Sequence, residues 1–85
     1  MIELHKRFGA VVRRRRVARG WSQGEFANLA GLSRSYSGEI ERGDAIPSLA
    51  TVIKIAAAFG VAPSELVEEA EEEGTHQAVA GSSSR

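Results

Sequence analysis

The residues best able to do chemistry lie in one stretch, Trp21 to Gly43, which reads WSQGEFANLAGLSRSYSGEIERG. If Ile40 faces inward on a helix, the 3.6-residue period turns Tyr36 or Ser37 inward with it. Arg34, Ser35, Gly38, Glu39 and Arg42 are then left outward. That outward face carries a planar donor fork, a hydroxyl and a carboxylate. Such a set suits base edges in a DNA major groove: Arg favours guanine, Glu accepts from cytosine, and Ser suits either. Other chemistry is poorly served. The 85-residue chain has no Cys, which removes disulfides, thiolate zinc sites, iron–sulfur clusters and a Cys nucleophile. Its two His, His5 and His76, stand far apart, away from any Ser–acid arrangement or metal-spaced cluster. No catalysis, metal, cofactor or small-molecule ligand is therefore expected.

A recognition face needs helices to hold it, and every long segment of this sequence reads as helix. No sustained period-two alternation argues for strands. A first helix over roughly Glu3 to Ala18 carries Leu4, Phe8, Val11 and Val12 as its apolar stripe, arginines on its exposed side, and a stop at Gly20. Ser22 and Glu25 form a capping box that opens a short second helix, which Gly31 ends. Ser33 caps a third helix that closes at Arg42-Gly43. The turn at Gly31-Leu32 is too tight for antiparallel packing, so these two helices must cross steeply, a helix-turn-helix at about residues 22–42. Pro47-Ser48 starts a fourth, with Leu49, Val52, Ile53, Ala56 and Phe59 at three-and-four spacing up to Gly60. Pro63 begins a fifth that continues through Leu66 and Val67. The fold class is all-α, a compact five-helix domain. Trp21, just before the Ser22 cap, reads as a staple or core residue rather than a base-stacking platform.

Residues 1–67 make up the expected domain. Residues 68–85, acidic and then polar and Ser-rich, read as a frayed helical extension leading into a flexible tail. The formal net charge of zero conceals a division between these parts. Up to Ser64 there are ten Lys/Arg against five acids, hence +5; from Glu65 onward one Arg stands against six Glu, hence −5. A basic body suits a polyanionic partner. The acidic segment reads as a solubiliser, as a weak competitor for the basic face, or as a helix in a subunit interface. No apolar run reaches the length of a membrane helix and no leader opens the chain, so a cytoplasmic protein is expected.

Phe8 to Val67 resembles the lambda-repressor-like (Cro and phage-repressor, XRE-type) DNA-binding domain. The resemblance rests on Arg19-Gly20-Trp21-Ser22-Gln23, Ala27, Ala30-Gly31, Ser33-Arg34-Ser35-Tyr36, Ile40-Glu41-Arg42-Gly43 and Pro47-Ser48-Leu49. It implies base reading by Arg34, Ser35 and Glu39. It implies phosphate contacts from Gln23, Tyr36, Arg42, Gly43 and Ser48, and a buried ion pair between Arg16 and Glu41. The function it implies is a sequence-specific transcriptional regulator on double-stranded DNA, a repressor or an activator. Such a regulator would bind a (pseudo)palindromic operator as a homodimer. Among small relatives, the SRSY…IERG segment looks most like the restriction–modification controller proteins. The alternative is a protein-interaction module of the same fold, as an antitoxin binds its toxin or a coactivator binds RNA polymerase.

Several residues have two readings. Glu39 either reads a base or pairs with Arg42 one turn on. Tyr36 belongs to the core, to the DNA backbone contact, or to both. Arg13, Arg14 and Arg15 read as a solvated face. Family members usually carry a large aliphatic residue where this chain has Ser37, followed here by Gly38. The recognition helix is then loose when free, or Tyr36 fills the space, or Gly38 lets the helix approach the groove floor closely.

Overall fold

The computed structural model describes the backbone of residues 3–82 and the side chains of residues 3–73. It contains α1 (Leu4–Ala18), α2 (Gln23–Ala30), α3 (Arg34–Arg42), α4 (Leu49–Phe59) and α5 (Pro63–Ser82), with no strand among the described residues. Serines set three of the starts. Ser22 Oγ accepts from the Glu25 N–H at 3.0 Å while the Ser22 N–H donates to Glu25 Oε1 at 2.8 Å, so two otherwise orphaned donors are satisfied at once. Ser33 Oγ accepts from the Tyr36 N–H at 3.1 Å, and Ser48 Oγ from the Thr51 N–H at 3.1 Å.

The core draws on all five helices. Phe8, Val11 and Val12 of α1 meet Phe26 and Ala30 of α2, Ile40 of α3, Val52, Ile55, Ala56 and Phe59 of α4, and Leu66 and Ala70 of α5. At one end three rings stack. Phe26 and Phe59 are 5.0 Å apart between centroids, and Trp21 lies 5.8 Å from Phe59 with their planes 12° apart. Arg19 roofs this stack, its guanidinium carbon 5.2 Å from the Trp21 ring centroid and its Nη2 donating to the Phe59 carbonyl at 2.8 Å. Trp21 is thus a half-buried packing residue.

The close approach of α1 to α3 depends on Gly9. A methyl group there would collide with the Ile40 carbonyl oxygen and stand 2.9 Å from that of Glu41, so the two backbones meet where α1 has no side chain. This contact fixes the height of α3 above the core.

Two expectations need correction. In α4 the stripe is turned from the one read in the sequence: Thr51, Val52, Ile55, Ala56 and Phe59 are buried, whereas Leu49 is 75% and Ile53 50% exposed. Apolar residues occupy most of this helix, so periodicity alone left its phase open. Leu4 is likewise 41% exposed.

The second concerns the chain beyond Val67. The expected boundary falls inside α5, whose backbone stays helical to Ser82. Ala70 is fully buried against the core, and the acids on either side of it reach α1. Glu73 Oε1 accepts from Arg14 Nη1 at 2.8 Å, and Glu69 Oε1 from Arg15 Nε at 2.8 Å. The hydrogen bond to Glu73, strengthened by the charges of both acids, raises the Arg14 pKa above its ordinary value. Arg14 and Arg15 are accordingly paired rather than simply solvated. Residues 83–85 of the expected tail, and the side chains from 74 onward, lie outside the described residues.

Candidate nucleic-acid interface

Arg34 and Ser35 occupy the first turn of α3, directly after the Ser33 cap, and both are exposed. They share a shallow polar concavity of about 300 Å³ with Gly38 and Arg42 of the same helix and Gln23 at the start of α2. Two guanidinium groups, a hydroxyl and an amide therefore converge on one opening. Glu39 is exposed on α3 but does not line it.

Behind the concavity lies a buried polar relay. Arg16 grips Glu41 with two bonds, Nε to Oε2 at 2.7 Å and Nη2 to Oε1 at 3.1 Å, and its Nη1 donates to the Trp21 carbonyl at 2.8 Å. The side chains are 12% and 2% exposed. Gln23 Nε2 donates to the same carboxylate at 3.3 Å. Because a carboxylate can only accept, this bond orients the Gln23 amide and leaves its Oε1 pointing toward Gly38. The pair joins α1 to the end of α3 and also sets the angle of the α2 side chain that borders the concavity.

Arg42 pairs with Asp44 rather than Glu39: its Nε donates to Asp44 Oδ2 at 3.0 Å, between two exposed side chains. Sequence reading overlooked Asp44, because it lies past the end of the helix where the i,i+4 rule no longer applies. Gly43 ends α3 at φ 77° with the stem of Lys6 against it, Cγ being 2.7 Å from where a Cβ would sit. Only glycine fits both that backbone and that contact. Lys6, from the first turn of α1, is thereby brought against Gly43 at the end of α3, a placement no local pattern announces.

Tyr36 takes the core part of its reading. Its half-buried ring packs on the core, and its Oη lies 3.3 Å from Thr51 Oγ1, which is in turn 3.0 Å from Ser48 Oγ. A chain of three hydroxyls thus joins α3 to the start of α4. Thr51 was missing from the sequence reading. Ser37 faces inward, 1% exposed, with its Oγ buried and unpartnered.

Two short capped helices crossing at a glycine turn, the second presenting a polar face, define a helix-turn-helix. Residues 12–66 match the helix-turn-helix family, and the chain belongs to it. The family comprises DNA-binding proteins of the Cro/C1 type, not enzymes. The chain is 44% identical over 52 residues to a hypothetical transcription factor of Neisseria meningitidis, covering 61% of this chain and 49% of that protein. It thus spans about half the length of that relative. Among solved structures it is similar to the restriction–modification controller protein C.AhdI from Aeromonas hydrophila, with a TM-score of 0.69 and 44% identity over 72% of this chain and 92% of that one. It is also similar to the clp gene regulator ClgR from Corynebacterium glutamicum, with a TM-score of 0.86 and 26% identity over 99% and 89% of the two chains.

Proposed function

We propose that this chain is a sequence-specific transcriptional regulator that binds a (pseudo)palindromic operator as a homodimer, with α3 in the major groove. The observation that carries this reading is the convergence of Arg34, Ser35, Gly38 and Arg42 with Gln23 around one exposed polar concavity on the crossing helices. Arg34, Ser35 and Glu39 read base edges. Gln23, Tyr36, Arg42, Gly43 and Ser48 hold the flanking phosphates, aided by the N-termini of α2 and α4, which favour anions. Lys6 adds a cation beside that clamp.

A homodimer is supported by exposed apolar surface around α4. Ile46, Leu49 and Ile53 stand 75%, 75% and 50% exposed, and Ile46 also lines an apolar groove with Leu4, Phe8, Val52 and Val67. The likeness to C.AhdI supports the controller subtype. No single helix among the described residues is long and apolar enough to cross a membrane, which accords with the cytoplasmic location proposed for such a regulator.

The test is selection of bound fragments from sheared genomic DNA by the purified protein, followed by sequencing and by sedimentation with and without the selected duplex. The proposal expects one enriched two-fold symmetric motif and two chains per site. Affinity should fall steeply with salt, log K against log[salt] sloping by about 0.9 per phosphate neutralised. A flat salt response without enrichment favours the protein-interaction module instead.

A further inference from the structure

The notch at Gly38 points to a division of labour on α3 different from the one the family resemblance implies. Arg42 lies at the C-terminal end of α3, where a phosphate contact is the simple reading. Its guanidinium, however, is folded back one turn. A methyl group on Gly38 would stand 3.0 Å from Arg42 Nη1 and 3.9 Å from Gln23 Oε1. The guanidinium therefore lies against the open side of Gly38, where a methyl group would press on it, and lines the same concavity as Arg34 and Ser35. Asp44 holds its Nε at 3.0 Å, which leaves the Nη edge as the free part of the fork.

We infer that Arg42 is a second base-reading arginine, seated against the helix backbone by the absence of a side chain at Gly38 and steered by Asp44. Its partner is a guanine edge, whose O6 and N7 accept a planar fork of two donors. Gly38 is then a specificity-determining position and Asp44 a positioning residue. The glycine costs α3 helical stability relative to Ala, and in return the fork can rest against the helix at Gly38 without a methyl group pressing on it. The inference rests on the reading that α3 enters the major groove, and it reassigns Arg42 from the phosphate clamp.

The experiment compares wild type with Gly38→Ala, Arg42→Lys, Asp44→Ala and Arg34→Ala on duplexes carrying every single-base change in one half-site. Lys keeps the charge that a phosphate needs but lacks the fork. Ala in mid-helix favours folding, so a Tm for Gly38→Ala at or above that of wild type keeps its result interpretable. The expected result is that Gly38→Ala and Arg42→Lys lose roughly 5- to 150-fold discrimination at one shared half-site position, the range for one good bidentate contact. Asp44→Ala should lose part of the same preference, and Arg34→Ala should act at a different position. Arg42→Lys binding every duplex with the wild-type ranking overturns the inference, as does an unchanged ranking for Gly38→Ala. A wild-type protein that ranks no duplex above another defeats the regulator reading itself, and this inference falls with it.

Discussion

Gly9 of α1 lies directly against the Ile40 carbonyl of α3, with the Glu41 carbonyl oxygen 2.9 Å from the place a Cβ would take. The recognition helix is thus seated on a backbone-to-backbone contact, and the adjacent Glu41 side chain makes the ion pair that orients Gln23. Positioning of the surface begins on the buried side of α3.

Gly9→Ala should accordingly destabilise the protein, although Ala is the better helix former. The gain in helix propensity is up to about 1 kcal/mol. Forcing apart two packed backbones costs about 1–3 kcal/mol, since a main-chain carbonyl cannot rotate away as a side-chain tip could. Urea unfolding should show a lower midpoint with an unchanged slope. An unchanged or higher midpoint would mean that α1 and α3 do not meet there.

Arg16 and Glu41 should behave as a coupled unit. Removing either partner strands a charge among groups only 12% and 2% exposed, and such a loss typically costs about 3–5 kcal/mol. For a domain of this size that is a large share of the total. The double substitution should be less damaging than the sum of the singles, and simple additivity in a double-mutant cycle would place the two side chains out of contact.

Truncation after Val67 should weaken the fold instead of only removing charge. It takes away Ala70 from the core and the carboxylates on Arg14 and Arg15. The ion pairs are partly exposed and contribute about 0–1 kcal/mol each, so Ala70 and its helical turn supply much of the effect. Ala70→Glu in the full chain should reproduce the loss by burying an unpaired charge. The raised pKa of Arg14 fixes the sign of the pH response. A cation favoured by folding contributes its stability below its unfolded pKa and loses it only as pH climbs through the folded value, so mild alkali leaves the clamp intact. Salt, which screens exposed charges, should weaken it. A truncated protein with the wild-type melting curve would restore the solvated tail.

Much of this arrangement was legible because it is written in local chemistry. Ser22 with Glu25, Ser33 and Ser48 mark the helix starts through side chains that satisfy backbone donors a turn away, and the glycines mark the ends. Arg34 and Ser35 could be placed outward from the same local phase once Ile40 was taken as inward. What stayed hidden depends on partners remote in sequence or on features too small to register. Ala70 is one methyl group within a run of Glu, and the acids beside it find their arginines 54 and 59 residues away. Leu49 and Ile53 are as apolar as their buried neighbours, and only packing against α2 and α5 selects which side of α4 is covered. Gly9 has no side chain to betray its contact. Arg42 had Glu39 at helical spacing, yet took Asp44 beyond the helix end.

The most direct test of the central claim is titration of the selected operator, its single-base variants and a scrambled duplex of equal length with wild type, Arg34→Ala and Gln23→Ala, in one buffer at two salt concentrations. The account predicts that wild type prefers the operator over the scrambled duplex. Arg34→Ala should relax that preference at one position per half-site by about 1–3 kcal/mol. Gln23→Ala should weaken all duplexes alike and keep the preferred sequence. Equal affinity of wild type for operator and scrambled duplex, or identical profiles for the two variants, would contradict it.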